Sequence, residues 1–380
     1  MMRPTVGVKP LERAVAYTNL PANIPDPQNG WTMGFSVGVA TTTDYAKITW
    51  WDNTEEIVDC ASFLQKLGGT VNKGMGYKVP LTGGIKKIIV EPCDFSGKLT
   101  GNITMFTCDR RKSYPTNSGS EQYNQRTITL DVSTCQQLKV LKCDRNTLTS
   151  LGDINACKNI ATIACSGNCF ASLDVSKLPN LEQFFCNHNF NLKNLTIGSN
   201  IKRFGISSCG LTGISFPSGS QLYELYIKDS ALNSVTLDNM TNLIKASFVS
   251  QENNPYETNI KSLTTISGNS LSNLREFNIG VYNYCSNFIG NKVSSIRMQS
   301  SFTGGNPTPT VGNYILSDWN SSLILNGCSL STSALNTIYS DLKDITGGSP
   351  INIEIAGITG FAASNKTTAT SKNYLFGSTC

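Results

Sequence analysis

The 380-residue chain holds a single histidine, His188, and contains no C-x-x-C, H-E-x-x-H, G-x-S-x-G or phosphate-binding glycine loop. Hydrolytic and transfer enzymes usually reveal a base, a nucleophile or a metal cluster, and none is in view. The closest cysteine spacing is C-x-x-x-C, at Cys165 and Cys169, which with one histidine argues against a zinc site. Charge is scarce too: Asp, Glu, Lys and Arg make up 15% of the chain and its net charge is +5. The densest basic cluster is Arg110, Arg111 and Lys112, which falls short of the footprint of a nucleic-acid binder. No apolar run approaches the roughly 18 residues of a membrane span. The opening stretch MMRPTVGVKPLERAVAYTNLP carries positive charge without an apolar core, so no secretory signal is expected there. The expectation is a protein with no enzymatic activity, no metal, no cofactor, no nucleic-acid partner and no membrane insertion.

What the chain does have is Gly, Ser, Thr and Asn in quantity, a composition suited to short strands joined by many turns. It also has a period. The frame L-x-x-L-x-L-x-x-N starts at Leu138, Ile160, Leu181, Ile201, Leu222 and Leu243, with gaps of 22, 21, 20, 21 and 21 residues. A looser copy, Leu274, Phe277 and Ile279, follows an inserted SQENNPYETN loop, and Val293, Ile296 and Met298 make a further candidate. The fourth and sixth positions are apolar and two apart, as in Leu141/Cys143, Ile163/Cys165, Phe184/Cys186, Phe204/Ile206 and Leu225/Ile227, which predicts a strand with one buried face. Asn146, Asn168 and Asn189 share the next beat, followed there by Cys209 and Ser230; a buried amide at that place can bond backbone groups that a turning chain leaves unpaired.

These units resemble leucine-rich repeats over roughly residues 128–300. The resemblance implies a curved solenoid with a parallel sheet on its concave side. Connections such as LDVSTCQQ and LDVSKLPN are too short for long convex helices, so extended or 3₁₀ segments are expected there. Thirteen cysteines, an odd count in a large chain, read as reduced thiols, with Cys143, Cys165 and Cys186 standing in for leucines inside the core.

The expected fold class is mainly β with short helices: an N-terminal β-sandwich-like domain, a leucine-rich repeat solenoid and a C-terminal α/β cap. The boundaries read as an extended, proline-bearing arm over 1–30, the β-sandwich-like domain over 31–115, a polar linker over 116–127, the repeats over 128–310 and the cap over 311–380. ITWWDNT resembles the W-G-D-G-T strand and turn of PKD-like sandwiches, with Trp51, Asp52 and Thr54 in matching places and both glycines absent. GGIKKIIVEPCDF is either the closing strand of that domain or an early repeat, since Ile85, Ile88 and Val90 obey the frame. In the cap, Ser331 is a candidate N-cap, with Leu335, Ile338, Tyr339 and Leu342 on one helix face. INIEIAGITG reads as a strand and AASNKTTATSKNYLF as a polar, helical finish.

With chemistry absent, binding remains. The outward places of the strands, with the residues just after them, give the candidate contact set Lys142, Phe185, His188, Arg203, Tyr223, Tyr226, Lys228 and Arg275 on the concave face. Aromatics among Lys, Arg and Glu can stack on sugar rings or anchor a protein surface, and they also pair across strands simply to stabilise a sheet. The repeats and the ending are similar to leucine-rich repeat fibre or adhesin proteins of Bacteroidales and their crAss-like phages. That resemblance implies a virion-associated protein: the arm and β-domain dock on other virion proteins, and the repeats face a host glycan or protein. Two alternatives stand beside it, a bacterial cell-surface adhesin and a purely architectural capsid or tail part. A homo-oligomer is left open, with no heptad or collagen repeat to support a trimer.

Overall fold

A computed structural model describes residues 11–20, 35–60, 75–78, 84–108, 126–228, 232, 234–250, 265–268, 276–281, 295–298, 323–325, 330–342, 344, 346–347, 350–355, 357–358 and 360–377. The chain divides into two compact units, Met1–Phe170 with Lys177–Leu181, and Ala171–Ser176 with Glu182–Cys380.

The first unit carries β1 (Ala14–Leu20), β2 (Phe35–Thr41), β3 (Tyr45–Thr49), β4 (Glu55–Asp59), β5 (Met75–Lys78), β6 (Gly84–Cys93), β7 (Ile103–Thr107), β8 (Arg126–Asp131), β9 (Val140–Lys142) and β10 (Thr162–Ala164). Five of them form an antiparallel sheet in the order β4-β3-β6-β1-β8, while β5-β2-β7-β9-β10 are successive neighbours within a second, larger sheet. Within the second, β2 is antiparallel to β5 and β7, and β7, β9 and β10 run parallel. Alternation decides which faces are buried: Ala14, Ala16, Ile48, Ile88 and Val90 from one sheet, and Val37, Val39, Phe106, Leu141 and Ile163 from the other, are out of solvent. Residues 14–20, expected inside the extended arm, are instead an interior strand of the antiparallel sheet, paired on both sides with Ala14, Val15, Ala16 and Thr18 all buried. Gly84–Cys93 is not an early repeat: β6 is antiparallel to β1 and β3, and Ile85 is 66% exposed; it does not close the sheet either, since it lies mid-sheet and β8 follows it in the chain.

The parallel ladder begins one turn before the Leu138 frame. Ile103, Phe106 and Cys108 have its spacing, all three are buried, and β7 pairs in register with β9. Three asparagines then work as the beat requires. Asn146 Nδ2 donates to the carbonyls of Cys108 (3.1 Å) and Cys143 (3.0 Å), and its Oδ1 accepts the Thr127 N–H at 2.9 Å. Asn168 repeats the pattern on Cys143, Cys165 and the Leu148 N–H, each at 3.0 Å. Asn189 Nδ2 donates to the Cys186 carbonyl at 2.7 Å. The start of the ladder is held by Glu12, which is 1% exposed and accepts the Ile103 N–H at 2.8 Å and the Gln137 N–H at 3.2 Å. Each carboxylate oxygen thus satisfies one backbone donor. Glu12→Gln keeps one acceptor oxygen and is expected to cost about 1–2 kcal/mol, and Glu12→Ala, which strands both donors, about 3 kcal/mol, read as shifts in urea unfolding.

In the second unit the same path repeats. Short strands β11 (Ser172–Asp174) and β13 (Asn194–Thr196) alternate in sequence with β12 (Gln183–Phe185) and β14 (Arg203–Ser207). After β15 (Gly213–Ile214) come β16 (Glu224–Lys228), β17 (Ser234–Thr236), β18 (Lys245–Ser250), β19 (Thr265–Gly268), β20 (Glu276–Val281), β21 (Ser295–Met298), β22 (Leu323–Ile324), β23 (Ile351–Glu354) and β24 (Tyr374–Gly377). The main ladder runs β12-β14-β16-β18-β20-β22-β23-β24, all parallel and in register. The connections build a second parallel ladder, β15-β17-β19-β21, beside the β11-β13 pair, and in the first unit one 3₁₀ turn, Ile154–Ala156, takes a connection's place. Ile296 and Met298, offered as a repeat strand, sit in this second ladder through β19, so they belong to a connection; Val293 lies outside the described residues. Cys209 takes the asparagine's beat, and its Sγ–H points to the Cys186 carbonyl at 3.3 Å.

The cap follows the expected helix, Thr332–Asp341, with the Ser331 side chain accepting the Ala334 N–H at 3.2 Å and with Leu335, Ile338, Tyr339 and Leu342 buried. Lys372 Nζ donates to the last carbonyls, those of Tyr339, Ser340 and Leu342 at 3.2, 2.8 and 2.7 Å, which suits the negative end of a helix. The helical finish is a correction: only Thr367–Thr370 is helical, and Tyr374–Gly377 extends the ladder because Tyr374 buries its ring fully against the cap. No helix among the described residues is long and apolar enough to cross a membrane.

Candidate binding face

Along β9, β10, β12 and β16 buried residues alternate with half-buried ones that face away from the core, so in-register strands turn single outward positions into columns about 4.8 Å apart. In the second unit the column at the third frame position reads Gln183, Arg203, Glu224, Lys245 and, by register, Glu276. Its charges alternate in sign. Arg203 Nε donates to Glu224 Oε2 at 2.6 Å, with the two side chains only 16% and 27% exposed. One place earlier, Lys202 Nζ meets Glu182 Oε1 at 2.6 Å in a more solvated pair. Like charges stacked at this spacing would repel, and the alternation leaves a polar strip with little net field. Tyr223 lies beside these four groups. Burial pushes its hydroxyl above the ordinary tyrosine value, while Arg203 and Lys202 pull the other way.

The fifth-position column reads Phe185, Gly205, Tyr226 and Ser247. Phe185 and Tyr226 are half-buried, and Phe185 Cδ1 stands 3.8 Å from where a Cβ on Gly205 would lie. Lys228 ends β16 beside Ser207 in register, half-buried. Arg203, Tyr223, Phe185, Tyr226 and Lys228 are therefore gathered on one sheet face of the second unit. Lys142 occupies the equivalent place on β9 in the first unit, next to Ala164 and Thr107 in register. Arg275 lies outside the described residues.

His188 is placed by backbone geometry. Its φ is 55°, and Arg145 (57°), Gly167 (67°) and Ser208 (53°) hold the same beat in their own turns. In each of the three non-glycine cases the N–H donates to a carbonyl of the following turn, Arg145 to Ser166 and His188 to Ser207 at 2.6 Å, and Ser208 to Lys228 at 2.9 Å. The left-handed conformation closes the turn, at roughly 1–2 kcal/mol for a residue with a Cβ. The exposed imidazole stands 6.3 Å from the ring of Phe190, which is 54% exposed. His188→Gly is accordingly expected to stabilise the protein by about 0.5–1 kcal/mol, and a loss above about 1 kcal/mol in denaturant unfolding would show that the side chain has a structural role. Gly167 alone betrays this column in the sequence, because three of its four members are not glycine. Among the described residues no group of three or more His, Cys, Asp or Glu is placed to hold a metal ion. What the face offers is stacking surface and fixed hydrogen-bonding groups.

The fold these residues define is a leucine-rich-repeat solenoid, mainly β with a few short helices. No protein-family model matches the chain, and no curated protein matches it in sequence. Among solved structures it is similar to an internalin (inlF) from Listeria monocytogenes, 14% identical over 71% of this chain and 86% of that one, with a TM-score of 0.28. It is also similar to the functional domain of InlJ from Listeria monocytogenes, described as including a cysteine ladder. That match is 12% identical over 70% of this chain and 66% of that one, with a TM-score of 0.25. Superpositions this loose carry no functional argument, and the reading of the face rests on this chain's own residues.

Proposed function

We propose that the protein is a non-enzymatic binding protein, a virion-associated fibre or adhesin of a phage, whose outward ladder face in the second unit meets the host surface. One observation carries the binding reading: Arg203, Glu224, Phe185 and Tyr226 stand on one in-register sheet face, with the ion pair already formed and Tyr223 beside it. A preformed face loses little side-chain entropy when a partner docks. The virion reading draws support from the thiols. Ten described cysteines are thiols and not disulfides, and nine of these are buried, which suits a chain that folds in a reducing cytoplasm and is carried out within a particle. In this reading the N-terminal β-domain, PKD-like in its Trp51–Thr54 turn, docks on other virion proteins, and the repeats meet a glycan or a protein of the host.

Mass spectrometry of purified virions tests the location, since a protein missing from them cannot be a fibre. Adsorption of particles carrying Arg203→Ala with Tyr226→Ser tests the face: loss of adsorption with normal assembly is the expected result, and failed assembly would favour an architectural part. The bacterial cell-surface reading predicts the chain on washed cells, with its buried thiols still free.

A further inference from the structure

Gly205 is the least explained residue of the ladder face. It lies mid-strand in β14, which is in register with β12 and β16 without a bulge, and its φ is outside the left-handed region. A Cβ there would meet only Phe185 Cδ1, at the ordinary contact distance of 3.8 Å. Neither backbone conformation nor space requires glycine, and glycine weakens a strand interior. With no bulge here, the use left to a strand-interior glycine is to let another group approach the backbone closely. Its neighbours show what. Phe185 stands on one side of it in the same column and Tyr226 on the other. Two residues back along the same face are Arg203 and Glu224, joined at 2.6 Å.

We infer that Gly205 is the floor of a subsite for a neutral pyranose ring, with Phe185 and Tyr226 as its apolar surfaces and the Arg203–Glu224 pair as its polar edge. A sugar presents C–H faces to aromatic rings and hydroxyls around its rim, and each hydroxyl both donates and accepts. The ion pair supplies a fixed donor and a fixed acceptor side by side. The pairing disfavours acidic sugars and charged peptides at this edge: Arg203 is already neutralised by Glu224, so an anionic ligand would have to break that largely buried pair to gain one. Gly205 leaves room for the ring to settle against the sheet. This subsite rests on the binding reading given above and narrows it to one ligand class.

The test uses the full chain on an array of neutral, sialylated and sulfated glycans, followed by titration of the neutral oligosaccharide that binds best. Gly205→Val fills the floor with a strand-favouring residue. It is expected to hold or raise the unfolding midpoint while weakening binding at least tenfold, a combination that damage to the fold does not produce. Phe185→Ser, which copies the Ser247 of the same column, is expected to weaken binding similarly. Preference for acidic glycans, or equal binding by Gly205→Val, overturns the subsite and leaves the binding face standing. Capture of a protein ligand that Arg203→Ala abolishes and Gly205→Val does not also overturns the subsite alone. If no neutral glycan binds the wild type, the subsite is overturned. If Arg203→Ala with Tyr226→Ser also leaves adsorption unchanged, the binding reading fails with it.

Discussion

Asn168→Ala is expected to destabilise the protein by about 2–4 kcal/mol, more than most single substitutions, because one side chain serves three backbone groups, of which the Cys143 carbonyl is shared with Asn146. The amide takes the Leu148 N–H and gives to the carbonyls of Cys143 and Cys165, all at 3.0 Å, from a position only 5% exposed. Leaving a buried donor or acceptor unmatched costs about 1–3 kcal/mol each. Asn168→Asp should be worse at neutral pH, since it turns a carboxylate toward two carbonyl oxygens. Asn168→Cys should be milder, near half the alanine loss, because Cys209 already holds this beat and directs its Sγ–H to the Cys186 carbonyl. Urea unfolding followed by circular dichroism ranks the three. Alanine and cysteine variants within about 1 kcal/mol of wild type would mean that the amide column is replaceable and the turns are held by the apolar residues alone.

That column shows where the sequence was readable. Asn146, Asn168 and Asn189 recur at a fixed beat after paired apolar positions, and one frame predicts both the strands and the bonds that close each turn. The frame was lost wherever its period was interrupted. Ile103, Phe106 and Cys108 obey it, yet they precede Leu138 by 35 residues (138 − 103) rather than about 21, so no neighbouring copy announces them. Ile296 and Met298 failed for the opposite reason. An alternating apolar pair in a connection strand looks the same as one in the main ladder, and only pairing with β19 tells them apart. The last strand misled through composition: Lys372 and Asn373 suggest a polar finish, while Tyr374 is the residue the cap buries.

The candidate face was legible in part for the same geometric reason. Period-two alternation fixes which side chains leave the core, so Phe185, Arg203 and Tyr226 could be read off. How Arg203 and Glu224 pair depends on register between strands 21 residues apart, information that lies in the ladder rather than in either segment. The role of Gly205 depends on two neighbours from other turns. His188 was placed on the face by its position after a strand, whereas its conformation is set by the turn it closes.

Alkaline pH is expected to remove stability steeply, and the cause is the thiols. Burial pushes Cys60, Cys157 and Cys209 up to about 12, and Cys135 higher still, from an ordinary value near 9. The folded chain therefore keeps protons that the unfolded chain loses. A group whose folded value is raised gives its full contribution below the unfolded value, and that contribution drains away as pH climbs through the folded one. The window here runs from about pH 9 to about pH 12. Each such thiol adds a slope of about 1.4 kcal/mol per pH unit, so the three near 12 together approach about 4 kcal/mol per unit. Tyr223, Tyr339 and Tyr374, also raised by burial, act in the same direction. Unfolding free energy measured at about pH 8, 9.5 and 10.5 should fall throughout, and Cys157→Ala with Cys209→Ala should flatten the slope by about 1.4 kcal/mol per unit for each thiol removed, whatever the substitutions do to stability at the lowest pH. Alkylation reads the same physics from the other side: Cys169, half-exposed, should react with iodoacetamide in the folded state, while the buried thiols wait for unfolding. A profile that stays level to about pH 11 would mean that these thiols ionise in place, which a packed column of apolar and sulfur side chains does not permit.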